Sequence, residues 1–368
     1  MSFQKILDNY QNLDTEEYFS KLKDSEIKQS LHKNSLDRYD FLNLLAPQAE
    51  KYLEKMAQIA HQKTKKWFGK TIKLYIPQYT SNYCVNQCKY CGFNINNDIK
   101  RRKLSLDEIE KEAKIISQSG MQHILILTGG SREQTPLEYI QEVIEIHKKY
   151  FSSICLEVYP MSRENYEMLI DTGADCLTIY QEVYDKEIYN KVHPAGPKSN
   201  YQFRLNAPER GAKAGFRAIS IGALFGLADL EKEAFLSGLH AQYLEDNYLE
   251  CDISLSLPRM NTHEGSYSQK YHLNNKKFVQ FLLAYRLFLP KVGINISTRE
   301  SPDFRDNLIK LGVTKMSAGS RTEVGGYLKQ DKTEPQFNLN DKRSIKEVIQ
   351  SIREQGYQPV FKDWEVLV

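Results

Sequence analysis

Cys84, Cys88 and Cys91 fall within eight residues, in the run Tyr83-Cys84-Val85-Asn86-Gln87-Cys88-Lys89-Tyr90-Cys91. Three thiolates on one tight loop can hold three irons of a cubane cluster and leave the fourth iron open. A structural zinc site is the other chemistry such a loop offers. Zinc, however, usually takes a C-x₂₋₄-C pair and a distant matching pair, and no second pair exists in this chain. Cys155, Cys176 and Cys251 are scattered and read as small buried hydrophobes. None of the 8 histidines forms an H-x-x-x-H or H-E-x-x-H pattern, so they carry no separate metal centre.

Other reactive side chains stand at the ends of short apolar runs. Thr128-Gly129-Gly130 closes one of them, where glycines let the backbone approach a ligand or simply make a turn. Glu157, in Leu156-Glu157-Val158-Tyr159-Pro160, is a carboxylate in an apolar setting, which is rarely buried without a partner. The same holds for Tyr180-Gln181-Glu182. Arg204, in Tyr201-Gln202-Phe203-Arg204-Leu205, opens a helix, and its guanidinium fork suits a carboxylate. Arg259 follows Ser256-Leu257-Pro258, Arg299 follows Ser297-Thr298, and Ser317 and Ser320 lie at a further run. Two arginines at one mouth suggest an anionic substrate. An amino-acid carboxylate would take one of them in a bidentate grip, and Arg299 is favoured over its bland alternative, a surface pair with Glu300 or Asp303.

Something must bring these ends together. From residue 71 onward, β-branched apolar runs alternate with amphipathic ones. The strand candidates are Thr71–Pro77, His123–Thr128, Ser153–Tyr159, Cys176–Gln181, Arg217–Leu224, Asp252–Leu257, Gly293–Thr298 and Thr314–Ala318, several nearly continuously apolar, as strands buried on both faces should be. Between them, Ser105-Leu106-Asp107-Glu108 reads as a capping box ahead of a helix ending near Gly120. Thr135-Pro136-Leu137-Glu138 reads as a second capping box, with proline at the first helical position. Further helical runs are Arg163–Asp171, Leu230–Asp246, Asn275–Phe288, Asp303–Lys310 and Ser344–Gln355. Eight strand–helix alternations predict an α/β fold, a (β/α)₈ TIM-type barrel, whose strand ends are where chemistry is placed. A doubly wound sheet would prefer a Gly-x-Gly-x-x-Gly turn, which is absent. The expected division is a helical extension over 1–70, the barrel over 71–321 and a short C-terminal extension over 322–368 packed on the barrel.

The 368 residues are ordinary in composition, 26% charged and 41% hydrophobic, which argues against disordered, collagen-like and coiled-coil proteins. A net charge of +3, from 50 Lys+Arg against 47 Asp+Glu, gives no case for nucleic acid. No run is apolar enough to span a membrane. The start, Met1-Ser2-Phe3-Gln4-Lys5, lacks a basic segment followed by an apolar one, so a cytoplasmic protein with reduced thiols is expected.

The C-x₃-C-x₂-C spacing, with aromatic Tyr90 just before the last cysteine and the first strand just upstream, resembles the signature of the radical SAM superfamily. That resemblance implies a [4Fe–4S] cluster on Cys84, Cys88 and Cys91, with S-adenosyl-L-methionine chelated at the open iron and cleaved to methionine and a 5′-deoxyadenosyl radical. It implies cofactor contacts from Tyr90, from Thr128, Gly129 and Gly130 at the methionine amine, from Glu157, Tyr180, Gln181 and Glu182 at the nucleoside, and from Arg204 at the carboxylate.

The chain as a whole, from about Phe41 to Trp364, resembles the 2-iminoacetate synthase (ThiH) family, the tyrosine lyases of thiamine biosynthesis. The pieces that carry this are Tyr75-Ile76-Pro77, the cysteine run through Gly92-Phe93, Tyr180-Gln181-Glu182, Ser256-Leu257-Pro258-Arg259, Ser297-Thr298-Arg299-Glu300-Ser301-Pro302 and Pro359-Val360-Phe361-Lys362-Asp363-Trp364. The resemblance implies cleavage of the Cα–Cβ bond of L-tyrosine to 2-iminoacetate and p-cresol, thiazole synthase (ThiG) as partner, and an electron donor such as flavodoxin or ferredoxin. Arg299 would hold the carboxylate, Ser317 would help orient the amine, Arg259 would be a further catalytic residue at the same mouth, and apolar barrel side chains would house the ring. The family commonly has an acid directly after Thr-Gly at the second strand. Here Gly130-Ser131-Arg132-Glu133 follows, so Ser131 or Glu133 would take that role. The alternatives are a hydrogenase-maturation tyrosine lyase, whose relatives carry a second cysteine cluster where this chain has no cysteine after Cys251, a tryptophan-cleaving relative, and a non-enzymatic iron–sulfur or zinc scaffold.

Overall fold

The computed structural model describes residues 2–261, 267–328 and 333–362, which leaves Asp363 and Trp364 of the last motif outside the described residues. Nine strands form one sheet: β1 (Thr71–Ser81), β2 (His123–Thr128), β3 (Ser153–Glu157), β4 (Cys176–Thr178), β5 (Ala218–Gly222), β6 (Asp252–Ser256), β7 (Gly293–Ile296), β8 (Lys315–Ser317) and β9 (Gln358–Val360). Consecutive strands pair in parallel from β2 to β8. β1 pairs with β8 on one edge and β2 on the other, closing an eight-stranded barrel with helices in the connections, the (β/α)₈ architecture expected from the alternation.

β9 is a strand the sequence pattern does not announce. It pairs with β1 at Thr71↔Gln358 and Lys73↔Val360, while β2 pairs with β1 only from Ile76 onward. The C-terminal segment therefore fills the stretch of β1 edge that β2 leaves open, which is one way to protect an unpaired edge.

β2 has its expected bounds and β1 runs on to Ser81, whereas β3 to β8 are shorter than the apolar runs suggest. After Thr178 the chain still follows β5, with the Ile179 N–H on Ser220 O at 2.9 Å and the Gln181 N–H on Gly222 O at 3.1 Å. Glu182, however, has φ +70°, the one positive φ at a non-glycine residue among those described. That left-handed conformation ends the pleat. The second expected capping box does not form. The Thr135 hydroxyl turns back to Ser131 O at 2.8 Å, and Pro136 becomes the N-cap of the helix Leu137–Lys148 with no side-chain cap. The first one does form: Ser105 Oγ accepts the Glu108 N–H and Glu108 accepts the Ser105 N–H at 2.9 Å.

The helices before β1 pack on the outer helices Leu230–Asn247 and Asn275–Phe288. Phe41 is fully buried and stacks on Phe288 at 4.4 Å. It fits only because residue 238 is glycine, where a Cβ would lie 2.4 Å from its ring. Burying such a ring contributes about 1.5–3 kcal/mol. Among the described residues no helix is long and apolar enough to cross a membrane.

Candidate active site

β1 ends at Ser81, and the cysteine loop begins there, at the C-terminal mouth of the barrel. Residues 82–105 contain no helix or strand, so side chains must hold the loop. Arg101 does most of this. Its guanidinium donates to Asn82 O and Phe93 O, both at 2.9 Å, to Asn94 O at 2.6 Å and to Asn97 O at 3.3 Å. Asn94 Nδ2 donates to Cys88 O at 3.1 Å and Asn97 Nδ2 to Cys91 O at 3.2 Å. Arg101 thus orients the cysteine-bearing backbone without touching a sulfur. Groups that orient metal ligands typically contribute about 10- to 100-fold in metal affinity. Arg101→Ala is expected to weaken iron retention by that order against a competing chelator, with the circular dichroism of the barrel unchanged. Wild-type retention would show that the loop is held by other means.

The end of β2 is fitted against this loop. A Cβ at residue 129 would lie 2.2 Å from Tyr83 O, and one at residue 130 would lie 2.4 Å from Asn86 Nδ2 and 3.5 Å from Cys84 Sγ. In this structure the glycines accommodate the cysteine loop itself. Amide N–H groups also point at sulfur: Asn86 Nδ2 stands 3.5 Å from Cys84 Sγ, and Gln336 Nε2 stands 3.8 Å from Cys91 Sγ.

The three cysteines line a cavity of about 330 Å³, which Thr128, Gly129, Gly130, Glu157, Glu182 and Arg204 also face. Thr128 Oγ1 is buried there without a hydrogen-bond partner among the described residues. Glu182 receives Lys198 Nζ at 2.8 Å and Arg204 at 3.5 Å. Burial would raise its carboxyl, but Lys198 and Arg204 together overcome that and hold it below the ordinary range. Arg204 Nε donates to Tyr180 O at 2.6 Å, which fixes the guanidinium at the strand end. Ser131 and Glu133 both line the same cavity.

Tyr90 faces a neighbouring cavity of about 80 Å³. Its hydroxyl meets His193 Nε2 at 2.7 Å, and His193 Nδ1 meets Tyr189 O at 2.9 Å. A carbonyl only accepts, so Nδ1 carries the proton. Burial pushes His193 well below its usual range and keeps the ring neutral. Nε2 is therefore the acceptor and Tyr90 the donor.

Glu157, the last residue of β3, faces all three cavities at this mouth. Burial, and then the charge of Glu182, pushes its carboxyl from 4.5 up to about 7. The folded chain therefore keeps a proton that the unfolded chain has released between these values. Stability should fall as pH rises from 4.5 to about 7 and level off above. Glu157→Gln removes this contribution. Its apoprotein is expected to show a smaller drop in Tm between acidic and mildly alkaline buffer than the wild type, and an equal drop would assign the dependence to other groups.

The third cavity, about 70 Å³, holds Arg299, Ser317 and Ser320 against Tyr79, Leu127 and Phe337. The Arg299 guanidinium lies 3.3 Å over the Phe337 ring, and no carboxylate among the described residues pairs with it. Arg259 differs from expectation. It faces none of the three cavities; its guanidinium forms a two-pronged ion pair with Glu300 and also donates to Leu273 O at 3.0 Å and Asn275 Oδ1 at 2.9 Å. Glu300 is thereby taken by Arg259, and Arg299 keeps its charge for the cavity. Ser317 Oγ accepts the Thr298 N–H at 3.1 Å. Its carbonyl is gripped by Arg305, which forms a fully buried pair with Asp341. Ser320 Oγ is buried in the same cavity without a partner among the described residues. Gln181 faces none of the three cavities, and its buried amide has no partner among the described residues.

Sequence reasoning missed Arg101, Asn86, Lys198 and Gln336. Lys198 had a signal in Pro194-Ala195-Gly196-Pro197, punctuation that marks a shaped turn. That turn presses on the loop, where the Lys198 N–H donates to Asn86 Oδ1 at 2.7 Å. Gln336 lies in a polar stretch with no periodicity and had none.

A [4Fe–4S] cluster and S-adenosylmethionine fit these residues. No three His, Cys, Asp or Glu side chains among those described converge as they would around one metal ion. The three thiols do line one cavity, as the ligands of a single cluster must. Burial pushes Cys88 up to about 12 and raises Cys91 as well, so these thiols ionise only against the charge of bound iron. The orphaned Thr128 hydroxyl and the Arg204 fork face the remaining space.

A model of the radical SAM superfamily matches residues 79–236, and a model of the biotin and thiamin synthesis associated domain matches residues 256–358. The 2-iminoacetate synthase of Salmonella typhimurium is 36% identical over 342 residues, covering 93% of this chain and 91% of that protein. The one from Escherichia coli is 35% identical over the same length. Among solved structures, the FeFe-hydrogenase maturase HydG from Carboxydothermus hydrogenoformans is 34% identical with a TM-score of 0.90, covering 98% of this chain and 85% of that one.

Proposed function

Since the chain belongs to the 2-iminoacetate synthase family of radical SAM enzymes, we propose that it cleaves the Cα–Cβ bond of L-tyrosine. The products are 2-iminoacetate and p-cresol, and S-adenosylmethionine is reduced to methionine and 5′-deoxyadenosine. The sum consumes two electrons and one proton, because tyrosine divides into its two products without net redox change while S-adenosylmethionine is reductively cleaved. When bound, the cluster and S-adenosylmethionine supply a 5′-deoxyadenosyl radical able to take a hydrogen atom from the substrate amino group.

The observation that carries this reading is the relation of two cavities. Glu157 and Gln336 face both the cysteine cavity and the small chamber that holds Arg299. A substrate gripped at Arg299 therefore lies one side chain away from the cofactor. Cys84, Cys88 and Cys91 hold the cluster. Thr128 and Arg204 hold the methionine end of the cofactor, Glu182 is kept ionised for the nucleoside, and Tyr90 is aimed by neutral His193. Arg299 holds the substrate carboxylate through its planar fork. Ser317 and Ser320 orient the amine, and Arg259 supports the segment that carries Arg299. Burial of these groups excludes water from a reactive radical.

The iminoacetate is consumed by a thiazole synthase, and the electrons come from a small donor such as flavodoxin or ferredoxin, with all three proteins in the cytoplasm. The test is anaerobic turnover of protein reconstituted with iron and sulfide, given S-adenosylmethionine, a reductant and L-tyrosine. Formation of 5′-deoxyadenosine, p-cresol and glyoxylate, the hydrolysis product of 2-iminoacetate, supports the reading when tryptophan gives none of the carbon–carbon cleavage. Deoxyadenosine without p-cresol would keep the radical chemistry and reject tyrosine as substrate.

A further inference from the structure

Barrel interiors are ordinarily filled by layers of branched apolar side chains. Below the Arg299 chamber this one is not. Thr178 of β4, Ser220 of β5, Ser254 of β6 and Asn295 of β7 border a second cavity of about 140 Å³. It shares Tyr75, Leu125, Tyr180 and Asn295 with the chamber above, so the two spaces meet across these side chains.

The volumes decide where an aromatic ring can go. A benzene ring occupies a protein cavity of about 150 Å³. The chamber, about 70 Å³, is too small for it, and the lower cavity, about 140 Å³, is of the right size. With the cysteine cavity taken by the cluster and S-adenosylmethionine, an aromatic amino acid anchored by its carboxylate at Arg299 sends its ring down the barrel axis, past Tyr180 and Asn295.

Two polar side chains of the wall shared by the chamber and the lower cavity, Asn295 and Tyr180, have their donors committed. Asn295 Nδ2 donates to Ser220 Oγ at 3.0 Å and to Ser254 Oγ at 2.9 Å. Tyr180 OH donates to Ser256 Oγ at 3.0 Å. Both amide hydrogens of Asn295 are thus used, while its Oδ1 makes no hydrogen bond among the described residues and belongs to the wall between the cavities. An acceptor held in fixed orientation by two serines, with space for a ring in front of it, matches a phenol O–H.

We propose that Asn295 is the residue that selects tyrosine: its Oδ1 accepts the phenol hydroxyl of the substrate, and Ser220 and Ser254 hold it in that orientation. This rests on the tyrosine-lyase reading and goes beyond it by naming how tyrosine is told from phenylalanine and tryptophan. Phenylalanine fills the same space but leaves the Asn295 oxygen buried and unpaired, which amounts to about 10- to 100-fold in affinity.

The test compares reconstituted wild type, Asn295→Leu and Ser254→Ala. Dissociation constants of L-tyrosine and L-phenylalanine are measured by calorimetry with S-adenosylmethionine present, and KM and kcat for tyrosine in turnover. The wild type is expected to prefer tyrosine by at least about 10-fold. Asn295→Leu should lose that preference, with KM for tyrosine raised and kcat nearly unchanged. Ser254→Ala, which frees one amide hydrogen without removing the acceptor, should fall between. Should Asn295→Leu fail to fold, as judged by Tm and iron content, the intermediate ratio of Ser254→Ala carries the decision. A variant that folds, retains iron and keeps the wild-type ratio overturns the proposal. The lyase reading stands or falls separately, on whether the wild type makes p-cresol.

Discussion

Cys88→Ala is expected to leave a folded protein that neither holds its cluster nor turns over. Cys88 is buried and packs as a small hydrophobe would, so alanine fits its space. Its backbone carbonyl bonds to Asn94 and the Cys91 N–H persist in the variant. What disappears is one of three thiolates. The two that remain would leave two irons without protein thiolates. Iron content after reconstitution, visible absorbance and deoxyadenosine formation should all fall to background. That loss exceeds the roughly 10- to 100-fold expected when a group merely orients a ligand. Cys251→Ala, distant from the loop, is the control and should retain all three. A Cys88→Ala protein with normal iron and turnover would return the loop to a structural role.

The second large effect is expected at Arg299. Its guanidinium faces the small chamber, rests on Phe337, and lacks a carboxylate partner because Arg259 has captured Glu300. Removing one member of a buried charge pair generally costs about 2–5 kcal/mol. Arg299→Met should therefore lower kcat/KM for tyrosine by about 30- to 5,000-fold, mostly through KM. Arg299→Lys should recover only part of this, since a point charge replaces a planar fork. Deoxyadenosine formation without tyrosine should be little changed in both variants, because the cysteine cavity is lined by other residues. Arg259→Met makes the informative contrast. It should lower Tm, by unpairing buried Glu300, more than it changes KM. If Arg259→Met raises KM as much as Arg299→Met does, the carboxylate grip is shared between the two.

These expectations show how unevenly the site was written into the chain. The run from Cys84 to Cys91 was legible because the spacing of ligands along one loop is a local property. So was the placement of Glu157 and Arg299 at strand ends, since a charge that closes an apolar run must find a partner, a ligand or water there. The division of labour between Arg259 and Arg299 was not legible. Both follow a strand, and both stand near acids in sequence or space. Which arginine meets Glu300 depends on how the segments after β6 and β7 face each other across 41 residues. Gln181 was misleading for a related reason. It sits between two residues that face the cavities, and along an extended chain neighbours point to opposite sides.

The eight barrel strands, most of the helices between them and the loop that offers three thiols were legible in the chain, because periodicity and capping act within a few residues; the short helix Lys186–Val192 was not. Tertiary structure alone decided the rest. It brought Gln336 from an unpatterned stretch to Cys91, set Lys198 against Glu182, and turned Asn295 inward among serines from neighbouring strands. These contacts join residues 16 to 245 positions apart. No local preference encodes such pairs; barrel closure imposes them, since parallel strands paired in one register must deliver their ends to a common mouth.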